Sequence, residues 1–193
     1  MDSFGLDIGR SSIKLVELKK GEKKPLLQAV GEIDTPVPIS EATTEEKMNA
    51  LVEAVKKVKE DAGVTTKKVV ASLPESEVIS RLKWFPPMKE NEIRSALRLE
   101  AETFIPYQLE KVQLDYQIVD KDEEGRVLVF VVAASKDIVN KYVDLGKKAK
   151  IDVVALETPA VALARYFSIN QMSTLIIDMA YKHSYFVACK ASQ

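Results

Sequence analysis

Arg98-Leu-Glu-Ala-Glu-Thr-Phe-Ile-Pro-Tyr-Gln-Leu-Glu-Lys-Val-Gln-Leu-Asp-Tyr116 changes its period midway. The first part continues a pattern that begins at Glu90. Ile93, Leu97, Ala101 and Phe104 fall on one helical face and predict a helix over 90–104. Pro106 stops it, because the proline ring fixes φ and removes an amide donor. Ile105 and Tyr107 make that stop an apolar corner. From Val112 the alternation becomes that of a strand, running to Val119. A turn over Asp120–Gly125 leads into a second strand, Arg126–Ala134, and a strand Val78–Trp84 precedes the helix after a break at Pro86-Pro87. Together these elements describe a small α+β unit.

Working outward, the flanks have a different character. Residues 4–8 and 12–19 read as short strands joined by Gly9-Arg-Ser-Ser, and Leu26–Ile33 as a third, so the chain opens as a meander. Thr43 and Thr44 before Glu45-Glu46 mark a helix start with acids in its first turn, where the helix dipole favours them. Met48, Leu51, Val52, Val55 and Val58 recur at helical spacing and Gly63 ends the run. Lys68–Leu73 is a buried strand stopped by Pro74. After the small unit come a helix carrying Ile138, Tyr142, Leu145 and Ala149, a strand Val153–Leu156, a helix Pro159–Phe167, and a hairpin of Thr174–Asp178 with Tyr185–Cys189. Three strands with no helix between them exclude a doubly wound nucleotide fold.

Composition narrows the function classes. The chain has 193 residues, 46% hydrophobic and 30% charged, with a formal net charge of −1, which is ordinary for a globular protein. Basic and acidic residues are well mixed, so no field draws in nucleic acid or an anionic membrane. The opening Met-Asp-Ser-Phe-Gly-Leu-Asp has neither the basic start nor the apolar run of a signal peptide. The longest apolar run, Val127–Ala134, is far short of a membrane span. A cytoplasmic protein is expected. Cys189 is the single cysteine and reads as a buried inert thiol; His183 is the single histidine, so no metal centre and no Ser-His-Asp or Cys-His arrangement is expected.

Two features could carry function. Asp7-Ile-Gly9-Arg-Ser11-Ser12-Ile-Lys14 has the parts of an anion-binding turn. Gly9 lets backbone N–H groups approach phosphate oxygens, Ser11 and Ser12 add hydroxyls, Lys14 adds a charge, and Asp7 could hold Mg²⁺ through water. The same composition also makes a plain turn. The second feature is a pair of stiff apolar edges, Phe85–Met88 and Ile105–Tyr107, whose prolines fix the backbone. Phe85, Pro87, Ile105 and Tyr107 are plausible rims of a peptide groove.

Three ordered blocks carry a family resemblance: Ser72-Leu-Pro74 with Val78, Arg81 and Phe85-Pro-Pro-Met88; Glu92 to Pro106; and Leu114-Asp-Tyr116. With the Gly5–Lys14 stretch they resemble the PilM family, actin-like cytoplasmic proteins of type IV pilus assembly, from about residue 4 to about residue 190. The resemblance implies an α/β fold: an actin-like (ribonuclease H-like) subdomain 1A over 1–74 and 153–193, and an inserted α+β subdomain of the FtsA/PilM 1C type over 75–152. The second actin-like lobe, with its adenosine-binding glycines, is expected to be absent. Asp7, Gly9, Ser11, Ser12 and Lys14 would form the first phosphate hairpin, with Mg²⁺ on Asp7. Asp178, Ala180 and Ser184 would form the second, degenerate because the family has Gly where Ala180 stands. ATP with Mg²⁺ is thus expected only of a longer form, with none bound by this chain and no enzymatic activity.

The resemblance further implies an adaptor, peripheral on the cytoplasmic side of the inner membrane. It would hold the N-terminal cytoplasmic tail of a PilN-like inner-membrane protein in a groove between 1A and 1C, and meet other pilus assembly components. The alternatives are an actin-like ATPase of FtsA cell-division type and a GspL-like component of type II secretion.

Overall fold

The computed structural model describes residues 3–22, 24–167, 173–179 and 184–189. The chain forms β1 (Phe4–Ile8), β2 (Ser12–Lys19), β3 (Leu26–Asp34), α1 (Glu45–Asp61), β4 (Lys68–Ser72), β5 (Val78–Phe85), α2 (Glu90–Ala101), β6 (Val112–Lys121), β7 (Val127–Ser135), α3 (Lys136–Ala149), β8 (Asp152–Glu157), α4 (Pro159–Phe167), β9 (Thr174–Met179) and β10 (Ser184–Cys189). It divides into two compact units, Met1–Glu75 with Lys141–Gln193, and Ser76–Asn140.

The first unit is built on a five-stranded sheet of order β3-β2-β1-β4-β8. β1, β2 and β3 form the antiparallel meander; β4 and β8 then add in parallel. This is the actin-like, ribonuclease H-like order. Thr44 caps α1 through a hydroxyl that accepts the Lys47 N–H at 3.3 Å. The spacing of Met48, Leu51, Val52, Val55 and Val58 buries that helix face, and the helix packs on β2 and β3. Burying each such side chain contributes on the order of 1.5–3 kcal/mol. Gly63, at φ 68°, ends the helix in the left-handed conformation that suits a glycine. Among the described residues β9 and β10 pair with each other as a two-stranded sheet.

The second unit is a three-stranded antiparallel sheet, β5-β7-β6, with α2 on one face. Phe85, Val127, Val129 and Val131 meet Ile93 and Leu97 in one cluster; Ala101, Ile105, Val112 and Ala133 form another. This compact unit runs over Ser76–Asn140, beside the 75–152 expected for the insertion. The C-terminal part of α3 packs with the first unit: Lys141 Nζ reaches the Ser40 carbonyl at 2.9 Å, and the fully buried Tyr142 donates its hydroxyl to the Ser72 carbonyl at 2.6 Å.

Candidate functional site

The β1–β2 turn has the geometry its glycine demands. Gly9 N–H donates to the Ser12 carbonyl at 3.0 Å, and a Cβ on Gly9 would sit 2.8 Å from that same oxygen. Thr35, which the sequence reading did not single out, latches the turn from β3's end. Its hydroxyl donates to the Gly9 carbonyl at 2.8 Å and its N–H to the Ser11 carbonyl at 3.0 Å. Arg10 points outward to Glu41 at 2.9 Å. Ser11 is exposed and Ser12 half-buried.

Strand register places Asp7 between Lys14 on β2 and Ser72 on β4. Asp7 is exposed as a residue, yet crowding at its carboxyl raises the pKa above the ordinary carboxylate value. A hydrogen bond with the Ser72 side chain and the charge of Lys14 oppose that rise, and the charge of Asp178 adds to it. Lys14 also faces Glu32 at 3.9 Å. The two aspartates read from opposite ends of the chain are therefore electrostatic neighbours. In the second hairpin Asp178 stands opposite Tyr185 and Ser184 opposite Met179. Ala180 and His183 lie outside the described residues.

Three groups missed in the sequence join this neighbourhood. Ser72 bonds Asp7. The Tyr185 hydroxyl is pushed above its ordinary pKa by burial and by the charges of Glu75 and Asp178. Glu75 is raised by burial, opposed by the Ala160 N–H at the start of α4, and its Oε2 is buried with no hydrogen-bond partner among the described residues. Ser72 is legible only once β4 is known to pair with β1; nothing in the local pattern marks Tyr185 or Glu75. Glu157 is ion-paired with Arg165 at 2.6 Å.

The described residues fit the phosphate end of a nucleotide only in part. The glycine N–H that should face an anion already serves the Ser12 carbonyl, and the charge of Asp178 adds to that of Asp7 where Lys14 opposes it. No group of three or more metal-ligating His, Cys, Asp or Glu side chains occurs among the described residues.

The expected peptide-groove residues separate. Phe85 and Ile105 are buried, at 4% and 5% exposure, in the core of the second unit, so they cannot anchor a ligand directly. Phe85 alternates onto the α2 face of β5, and Ile105 is drawn in by its N–H bond to the Ala101 carbonyl at 2.9 Å. Pro87 and Tyr107 are exposed, Tyr107 at 63%.

Residues 5–183 match the family model of the type IV pilus assembly protein PilM. Among solved structures, the chain is similar over 100% of its length to a chain of the PilM-PilN type IV pilus biogenesis complex, with 27% identity and a TM-score of 0.84. It spans 59% of that chain. It is also similar in fold to the cytoplasmic domain of EpsL, an inner membrane component of the type II secretion system of Vibrio cholerae, with 16% identity, a TM-score of 0.62, and 98% of this chain matched to 71% of that one.

Proposed function

From the premise that this chain belongs to the PilM family of type IV pilus assembly proteins, we propose that it is an adaptor that binds the N-terminal cytoplasmic tail of a PilN-like inner-membrane protein. The observation that carries this reading is the likeness, over the whole chain, to a protein solved in a complex with PilN. No helix among the described residues is long and apolar enough to cross a membrane. In this proposal the partner holds the chain at the cytoplasmic side of the inner membrane, within reach of other pilus components.

Burial decides which residues can take part. Pro87 and Tyr107 are the exposed members of the two proline-stiffened segments, and Tyr107 is the aromatic anchor of the proposal. The test is a fluorescence-polarisation titration with a labelled PilN-like tail peptide. Tyr107→Ala should weaken binding by about 1–3 kcal/mol with an unchanged circular dichroism spectrum. Unchanged affinity removes Tyr107 from the site. Failure of every PilN-like tail to bind overturns the adaptor reading.

The same proposal makes the chain a binding protein rather than an ATPase. It is supported by the engaged Gly9 N–H and by the alanine at position 180, where the family resemblance implies a glycine. Calorimetric titration with Mg-ATP should show weak binding or none. Tight stoichiometric binding would sink this part of the reading.

A further inference from the structure

The outer face of the β5-β7-β6 sheet, opposite α2, carries an apolar stripe along β5 and β7 that is open at Leu82 and Trp84 and closes toward the buried Ala134. Strand alternation assigns the faces. Phe85 pairs with Val127 on the α2 side, so the pairs Trp84–Leu128, Leu82–Phe130, Ser80–Val132 and Val78–Ala134 point the other way. Leu82 and Trp84 are 61% and 44% exposed. β7 is apolar at every position from Val127 to Ala134, the pattern of a strand covered on both faces rather than one. α2 covers one of those faces.

The edge of this sheet is guarded while its face is not. β5 is an edge strand, and its charged residues turn inward: Arg81 lies over the Phe104 ring at 5.1 Å and Lys83 ion-pairs with Glu100. Inward charges on an edge disfavour addition of another strand. Charge then selects what lies on the face. The outward positions of β6 are Gln113, Asp115, Gln117 and Asp120, flanking Val132, Phe130 and Leu128. None of the outward positions of the three strands is basic. Arg126, above the Trp84 ring, is engaged by Asp122 at 2.7 Å and Glu124 at 3.4 Å. We propose that this face docks a partner protein's amphipathic helix whose apolar stripe is flanked by Lys or Arg.

Trp84 is the single tryptophan of the chain and lies on the proposed surface, so its emission reports docking directly. The probe is a synthetic Leu/Lys amphipathic helix of about eighteen residues, a length at which a helix becomes self-supporting. Its counterpart has Glu in place of Lys. The Lys peptide should give a saturable blue shift of Trp84 and the Glu peptide none. Leu82→Lys, at an exposed position, should weaken the Lys peptide at least about tenfold, as expected for loss of an interface anchor. Asp115→Asn with Asp120→Asn should weaken it about fivefold, the scale of two exposed charge pairs. Three outcomes overturn the proposal: equal binding or no binding of the two peptides; self-association in sedimentation accompanied by a Trp84 shift without peptide, which gives the face to a second copy; or a Trp84 shift on phosphatidylglycerol vesicles with none on the Lys peptide.

Discussion

Glu17 is buried in β2, yet its carboxylate accepts the Thr65 N–H at 3.1 Å and the Thr65 hydroxyl at 2.9 Å. Burial alone would raise its pKa. The Thr65 bonds, the Thr66 N–H and the charge of Lys19 together outweigh burial and hold it below the ordinary value. Its folded pKa is thus below its unfolded one. The stability it contributes is present above an unfolded pKa of about 4.3 and is lost as pH falls through the folded value. Glu17→Gln should cost about 1–3 kcal/mol in urea denaturation at neutral pH, the cost of leaving buried donors poorly paired. That deficit should shrink in acid, and a deficit independent of pH would contradict the assignment. Asp7 has the opposite sign: its raised folded pKa makes the charged form unfavourable once pH exceeds that value. Asp7→Asn keeps the partner for Ser72 and should raise stability slightly at neutral pH, by less than about 1 kcal/mol for a solvent-screened group. A loss of stability would show that the carboxylate holds the hairpin together. Asp7 and Lys14 were legible as neighbours because one tight turn joins their strands. Phe85 and Ile105 were misread because proline-flanked apolar residues look like rims until strand alternation turns Phe85 to the α2 face and the turn after α2 draws Ile105 into the core.

Helix ends and close approaches mark the limit of periodicity at the scale of elements. The apolar spacing carries the predicted helix to Phe104, but α2 ends at Ala101. The Thr103 hydroxyl bonds the Glu100 carbonyl at 2.7 Å, and the Phe104 N–H turns back to Ala101 at 3.2 Å. Phe104 still packs on the same core from a turn, so burial preserved the pattern after the helix had stopped. α3 holds a second case. A Cβ on Gly146 would lie 2.8 Å from Val153 Cγ2 and 3.1 Å from the Ile151 carbonyl, so this glycine lets the helix approach β8. Two effects compete in Gly146→Ala. Helix propensity favours alanine by about 1 kcal/mol, whereas overpacking against a stiff β-branched side chain and a backbone oxygen costs about 1–3 kcal/mol. Overpacking should win and the melting temperature should fall. A rise would mean that β8 yields at little cost.

At the scale of the whole molecule, two units were legible because the chain restarts its strand pattern after Pro74, and the first boundary, at Glu75, lies beside that residue. The second boundary was not, because the apolar face of α3 runs without a break from Ile138 to Ala149. Spacing cannot tell which body buries each half of one helix; Tyr142 bonding to Ser72 can. Two buried clusters of the second unit draw on residues from Ile79 to Ala133. Clusters confined in this way predict separable unfolding, and the chain provides its own reporter. Trp84, the single tryptophan, belongs to the second unit, whereas far-ultraviolet circular dichroism averages over both. Two-state unfolding requires both probes to trace one curve. In urea they should instead diverge, with a single sigmoid in tryptophan emission and a broader or two-step curve in dichroism. Hydrogen exchange should then sort the amides of β5, β6 and β7 into a protection class distinct from those of β1, β2 and β4. Superimposed curves with one protection class would show that α3, which begins in one unit and ends in the other, fuses them into a single cooperative body.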